Sequence, residues 1–341
     1  MPKVTQISSR KADHIRINLE KDVRSSLTTG LEHYRFIHRA VPEINLEDIN
    51  ISLSLFGRRL QAPLLISSMT GGTKEAERIN RTLALAAQEA QIALGVGSQR
   101  VAIEHSELEA TFQIRREAPD VLVFANLGAV QLNYGYGLQQ CLRAIDMIEA
   151  DALILHFNPL QEALQTDGQT CFAGLLKKIE RLCLKLPVPV IAKEVGWGFS
   201  EQDVKALSEV GVAAIDVAGA GGTSWSQVEM HRSQSPGQKR LAASFTDWGI
   251  PTAEAILNVK RVNPEMILFA SGGIYSGVDI AKCIALGAAL AGMAGPFLKT
   301  AVHSCEETYN LIKEVCHEIK VCMFAAGAVD LAALAELKLI S

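Results

Sequence analysis

The sequence predicts an α/β protein, a (β/α)8 TIM barrel with an N-terminal extension and C-terminal helices. Three observations carry that expectation. Eight short apolar runs follow one another from Pro63 onward, a segment of helical periodicity follows each, and polar or glycine residues collect just past the runs. The runs span residues 64–67, 93–96, 121–125, 152–156, 188–193, 214–217, 267–270 and 290–294. Most are rich in Leu or β-branched residues, as strands buried on both faces are.

The helical segments are justified in turn. Ala76, Ile79, Leu83, Ala86, Ala87 and Ala90 recur at helical spacing behind Thr73, a fitting N-cap. Ser106 with Glu109 reads as a capping box, and Ser200 with Glu201 and Asp203 as another helix start. Leu175, Ile179 and Leu182 continue the pattern, as do Val278, Ile280, Ile284 and Leu286. The rival architecture is an open doubly wound sheet, but no Gly-x-Gly-x-x-Gly follows an early strand. Residues 1–62 form the extension, expected to pack on the barrel, and 63–341 the barrel with its C-terminal helices. Residues 225–249 read as a long polar insertion after the sixth run, and barrel loops of that length are usually functional. The chain after Thr300 is expected to be helical and to close the barrel or contact another subunit.

Composition narrows the class. The 341 residues exceed a bare barrel, and 48% hydrophobic with 21% charged residues fits an ordinary globular core. A net charge of -4 speaks against a general nucleic-acid binder but leaves room for a local basic pocket. The seven cysteines show no Cys-x-x-Cys, which fits buried free thiols in a reducing cytosol better than zinc or disulfides. Residues 1–16 are polar and basic, unlike a signal peptide, and the most apolar stretch, 286–298, is too short and Gly-rich to span a bilayer. A cytoplasmic location is the expectation.

Barrel active sites lie at the carboxyl ends of the strands. The runs lead there into Ser68-Met69-Thr70-Gly71-Gly72, Gly97-Ser98-Gln99-Arg100, Asn126, His156 through Glu162, Lys193-Glu194, Gly219 through Trp225, Ser271-Gly272-Gly273 and Ala294-Gly295. Loops are polar and Gly-rich in any case, but amides, a lysine, a histidine and an arginine together exceed that background. Gly272, Gly273 and Gly295 permit close approach of backbone N–H groups, and a helix starting near Ser276 would add its positive end. Loops seven and eight of a barrel often hold phosphate, so a phosphorylated cofactor is expected. Lys193 closes the apolar Val190-Ile191-Ala192. It either snorkels to the barrel mouth or sets a cation beside the N1–C2=O edge of a flavin. Asn126 can hydrogen-bond the ring, with Ser98 and Thr70 as further donors.

Taken together, Arg10-Lys11-x-x-His14, Ser67 through Gly72, Gly97 through Arg100, His156-x-Asn158-x-x-Gln161-Glu162, Lys193 through Gly196, Gly219 through Trp225, Ser271 through Gly273 and Ala294-Gly295-Pro296 resemble the type 2 isopentenyl diphosphate isomerases. The glycine loops are shared with other FMN barrels; the His-x-Asn-x-x-Gln-Glu string and the Arg-Lys pair discriminate. The resemblance implies isomerisation of isopentenyl diphosphate to dimethylallyl diphosphate with reduced FMN, NADPH as reductant, Mg2+, and a homo-oligomer (tetramer or octamer). It implies FMN contacts from Ser68, Met69, Thr70, Ser98, Asn126, Lys193, Thr223, Gly273, Ile274, Tyr275, Ala294 and Gly295. It implies substrate contacts from Arg10, Lys11, Ser98, Gln99, Arg100, His156, Asn158 and Gln161, with Gln161 and His156 at the chemistry and Glu162 on the metal.

The physics of these roles is consistent. A diphosphate suits Arg10, Lys11 and Arg100, and Mg2+ is commonly held by one or two carboxylates plus substrate phosphates. A carbocation-like transition state needs a dry pocket over an electron-rich face, which reduced flavin offers, and its N5 is the expected acid–base group. Arg10 and Lys11 are expected to fold over the diphosphate. Competing readings are a redox FMN barrel and a non-enzymatic flavin-binding scaffold. A 2-hydroxy acid oxidase needs a His base and paired arginines. An inosine monophosphate dehydrogenase-like enzyme needs a Cys in a Gly-rich loop, where this chain has Gly221-Gly222-Thr223-Ser224. A scaffold leaves Gln161, Glu162 and Arg10-Lys11 unexplained.

Overall fold

The computed structural model describes residues 6–341. Helix α1 (Gln6–Glu20) opens the described chain, and an extended segment leads to an antiparallel hairpin, β1 (Leu53–Leu55) and β2 (Arg58–Leu60). Eight parallel strands follow: β3 (Leu64–Ile66), β4 (Ala93–Gly95), β5 (Val123–Gly128), β6 (Ala152–Phe157), β7 (Val190–Glu194), β8 (Ala214–Asp216), β9 (Ile267–Ser271) and β10 (Leu290–Met293). They close in the order β10-β3-β4-β5-β6-β7-β8-β9, the expected (β/α)8 barrel.

Among the described residues, the barrel is stopped at one end by its floor. Leu65, Ala93, Phe124, Ile154, Ile191, Ala214, Phe269 and Leu290, one from each strand, form a buried apolar cluster with Leu55 and Leu60 of the hairpin. Phe124 stacks on Phe269 at 6.0 Å, and Phe56 meets Phe269 edge-on at 6.4 Å. Such contacts add about 0.5–1.5 kcal/mol each beyond burial. The hairpin thus plugs the amino-terminal end. Arg58 and Arg115 anchor it there by sharing the Asp151 carboxylate at 3.0 and 2.7 Å.

Around the strands run α2 (Lys74–Ala90), α3 (Arg100–Glu104), α4 (Leu138–Ile148), α5 (Pro159–Leu164), α6 (Leu175–Lys185), α7 (Glu201–Glu209), α8 (Trp225–Arg232), α9 (Pro236–Ala243), α10 (Thr252–Val262), α11 (Gly277–Ala285), α12 (Gly295–Ala301), α13 (Cys305–Ala326) and α14 (Leu331–Ala335). Thr73 caps α2 by accepting from Ala76 N, and Ser200 forms a reciprocal capping box with Asp203 at α7. The chain after Thr300 is largely helical, in α13 and α14.

Two local features differ from what the sequence suggests. Ser106 and Glu109 form no capping box: residues Ser106–Thr111 are a 3-10 helix without a side-chain cap, and Glu109 is turned to Arg143. The polar insertion 225–249 carries α8 and α9. The third strand of the barrel, β5, extends to Gly128, so Asn126 lies within it rather than past it. A polar side chain aimed at the barrel interior does not stop the backbone from pairing.

The extension is tied to the mouth. Ser25 N donates to Gly222 O and Ser224 N to Val23 O, both at 2.8 Å. Ile17, Val23 and Val228 form a buried cluster with Trp225 packed on it, seating α1 against α8.

Candidate active site

Directly above the apolar floor the inward positions become polar. Lys193 and Asp216 are register partners on β7 and β8, and His156 is Lys193's partner on β6. Lys193 Nζ donates to Asp216 Oδ2 at 2.7 Å and to Ser271 Oγ at 3.1 Å, while Ser271 Oγ donates to Asp216 Oδ1 at 2.6 Å. His156 Nδ1 lies 2.8 Å from Asn126 Oδ1. An amide oxygen can only accept, so that nitrogen carries the proton. Burial above all, then the cations Lys193, Lys11 and Arg10, pushes His156 down to about 4, so the ring is neutral near pH 7.

The cavity above this layer, of about 280 Å³, is lined by barrel loops and by α1. Arg10, Lys11, His14 and Asn18 reach it from α1; Arg100, Asn158, Gln161, Glu162 and Gln165 reach it from the loops and helices after β4 and β6. Lys11 Nζ donates to Ser98 O at 2.6 Å and sits 4.9 Å from the Phe112 ring centroid. Burial, with Arg10 beside it, lowers Lys11 to about 7. Arg10 donates to Gln165 Oε1 at 2.7 Å, and Arg100 donates to Gln169 Oε1 at 3.1 Å. Glu162 is buried; its Oε1 accepts from Asn158 Nδ2 at 3.1 Å and its Oε2 from Gln169 N at 2.6 Å.

The lining suits a flavin nucleotide. Ser67 Oγ and Ser68 Oγ are buried without a hydrogen-bond partner, a costly state that ring heteroatoms would relieve. Gly295, at the start of α12, lines the cavity and has nothing within 4 Å of where a Cβ would stand, so that side of its backbone is unobstructed. Gly222 and Gly273 allow two loops to pass: a Cβ on Gly222 would lie 2.4 Å from Gly273 N, and Gly273 holds φ 68. The expected help from the helix at Ser276 is smaller than the sequence suggests. Gly277 N already donates to Glu318 and Asp279 N to Ser276 Oγ.

Of the residues singled out in the sequence, Arg10, Lys11, Ser68, Met69, Thr70, Ser98, Arg100, Asn126, His156, Asn158, Gln161, Glu162, Lys193, Thr223, Gly273, Ile274, Tyr275, Ala294 and Gly295 all line this one cavity. Gln99, expected from the family resemblance to touch substrate, does not line it. It is fully buried, its Nε2 donating to Ala144 O at 2.8 Å and its Oε1 accepting from Asn126 N at 2.9 Å. It splices two barrel segments where a substrate contact was expected. Among the described residues no three His, Cys, Asp or Glu side chains converge as a ready metal site.

Sequence reading missed Glu229, Asp216, Gln165 and Gln169, and gave His14 no role. Glu229 accepts from Gln161 Nε2 at 3.1 Å and Arg232 Nε at 2.8 Å, with His14 Nε2 at 3.4 Å. Burial alone would raise its carboxyl, but His14 and Arg232 outweigh it and hold Glu229 at about 2. No motif surrounds Glu229. Asp216 carried a signal: an acid closing an apolar strand beside one that ends in Lys193.

Fold and cavity together define an FMN-binding barrel enzyme. The model of the FMN-dependent dehydrogenase family matches residues 149–340. A mandelate oxidase variant superposes with TM-score 0.68 at 18% identity, covering 98% of this chain and 99% of that one. A lactate oxidase of Pediococcus acidilactici gives TM-score 0.63 at 16% identity over 96% and 86%. At that identity the likeness speaks for the fold alone.

Two relatives speak for more. An isopentenyl-diphosphate delta-isomerase of Nostoc sp. is 57% identical over 327 residues, 96% of this chain and 93% of its own. One of Stutzerimonas stutzeri is 49% identical over 334 residues, 97% and 96% of the two chains. The chain belongs to the isopentenyl-diphosphate delta-isomerase family, in its FMN-dependent, type 2 form.

Proposed function

We propose that this protein interconverts isopentenyl diphosphate and dimethylallyl diphosphate, using reduced FMN and Mg2+. One observation carries the reading: Arg10, Lys11, Arg100, Gln161 and Glu162 face the same cavity as Lys193, Asn126 and the open backbone at Gly295. Anion-binding groups and a floor suited to a flavin thus share one cavity.

The roles follow from chemistry. Arg10, Lys11 and Arg100 hold the diphosphate, with Ser98 and Asn158 as further polar contacts. Glu162 is a buried carboxylate beside them, so it can give Mg2+ the one protein ligand it needs, phosphate oxygens and water completing the shell. Gln161 and the neutral His156 position the alkene and add no charge that would trap a cation-like transition state. FMN, bound by Ser68, Met69, Thr70, Ser98, Asn126, Lys193, Thr223, Gly273, Ile274, Tyr275, Ala294 and Gly295, supplies when reduced an electron-rich face and a proton-exchanging nitrogen. Helix α1 lies over the mouth and excludes water from the reacting carbons.

NADPH is the proposed reductant. The reading carries with it a cytoplasmic homo-oligomer, a tetramer or octamer, as the family resemblance implies. Among the described residues no helix is long and apolar enough to cross a membrane. The test is anaerobic incubation with isopentenyl diphosphate, FMN, NADPH and Mg2+, followed by product analysis. Dimethylallyl diphosphate should form and should require all four components. Turnover of hydroxy acids with oxygen uptake, and none of the diphosphate, would overturn the reading.

A further inference from the structure

Among the described residues Lys193 is the one cation in the strand layer that floors the cavity, and it does not stand alone. Its ammonium has three protons. Two are committed, to Asp216 Oδ2 at 2.7 Å and Ser271 Oγ at 3.1 Å, and Ser271 in turn serves Asp216 Oδ1 at 2.6 Å. Both carboxylate oxygens are therefore occupied, and Asp216 is fully buried, behind the lining. The third ammonium proton is left for the cavity that Lys193 lines. Around this ring the charged and titratable groups are His156 on β6, Glu194 beside Lys193 on β7, and Arg10 and Lys11 across the cavity on α1.

A lone ammonium in the barrel floor would pull any bound flavin towards its anionic reduced state. The proton that separates the neutral from the anionic reduced ring sits at N1, on the edge beside Lys193; a ring whose N5 is to give and take protons stays poised when that N1 proton is neither fully expelled nor fully fixed. We propose that Asp216 is a positioning residue that cancels most of the field of Lys193, so that the reduced flavin in this site keeps an exchangeable proton near neutral pH. Asp216 touches neither cofactor nor substrate and acts through Lys193 and Ser271. This inference rests on the FMN reading of the cavity, but not on the identity of the substrate.

The test uses the FMN-loaded protein without substrate, reduced anaerobically with dithionite and titrated over pH while the reduced-flavin absorbance is followed. Wild-type protein that fails to bind FMN sinks the cofactor reading itself. With FMN bound, Asp216→Asn leaves Lys193 uncancelled. The transition between neutral and anionic reduced flavin should then fall by about one pH unit or more, a tenfold change in that equilibrium. An unchanged or raised transition overturns the proposal, since it means that Asp216 only keeps Lys193 charged or only packs. The double variant Lys193→Met with Asp216→Asn replaces the ion pair with neutral groups of similar size. It covers the case in which the single variant fails to fold. If the pair is already cancelled, the double variant stays within about half a pH unit of wild type. A larger upward shift means that the lysine acts undamped in the native site, and the proposal fails.

Discussion

Gln161 Nε2 donates to Glu229 Oε1 over 3.1 Å, joining the α5 helix that carries the Gln-Glu pair to the α8 helix of the insertion. Arg232 secures the other carboxylate oxygen at 2.8 Å. The amide of Gln161 is thus held at one end by a fixed anion. We expect Gln161→Ala to lower kcat by roughly 100-fold or more, the usual range for a misplaced or missing catalytic group. Glu229→Ala should lower kcat by about tenfold or more through lost orientation. Both variants should bind FMN normally, which flavin absorbance after gel filtration checks.

Lys11 makes substrate binding depend on pH. Burial and Arg10 bring its ammonium down to about 7, so above that pH the unliganded protein carries it largely neutral. A diphosphate favours the charged form. Binding above pH 7 therefore takes up a proton, and KM should rise as pH climbs from 7 towards 9, by up to about tenfold per unit. Calorimetry in two buffers of different ionisation enthalpy measures the uptake. Lys11→Gln should abolish it.

Gln99 separates support from contact. Its side chain satisfies Ala144 O and Asn126 N in the barrel wall. Gln99→Ala orphans two buried backbone groups and should cost about 2–4 kcal/mol of stability, read by chemical denaturation. The folded fraction should keep the wild-type substrate KM. A strong rise in KM would restore Gln99 to the substrate contacts.

Glu162→Gln keeps the shape and one of the two accepted hydrogen bonds, its NH2 being unable to accept the other, and removes the anion. Activity should fall strongly and its dependence on Mg2+ should vanish, with FMN still bound. A variant that still responds fully to Mg2+ moves the metal elsewhere.

How much of this was legible in the sequence depends on what each residue faces. The strands could be read because both faces are buried, leaving uninterrupted apolar runs such as Leu64–Ile66 and Val190-Ile191-Ala192. The rim could be read because polar residues follow those runs. Gln99 was misplaced because it sits between Ser98 and Arg100, both in the cavity, yet the turn into α3 rotates its side chain into the wall. Glu229 was invisible for a different reason. It belongs to a helix of an insertion with no apolar stripe to announce it, and its partners, His14 and Gln161, lie far away in sequence. Asp216 was passed over because a strand ending in an acid looks like any strand end until Lys193 is seen beside it.

On the proposed reading, one cavity brings a reduced flavin to a diphosphate alkene for proton transfer, with no net electron flow. The most direct measurement is the stoichiometry of NADPH consumed against dimethylallyl diphosphate formed, under strict anaerobiosis over many turnovers. A ratio far below one is expected, NADPH being spent only to reduce the flavin at the start. One NADPH consumed for each product molecule would contradict it and make the protein a redox enzyme.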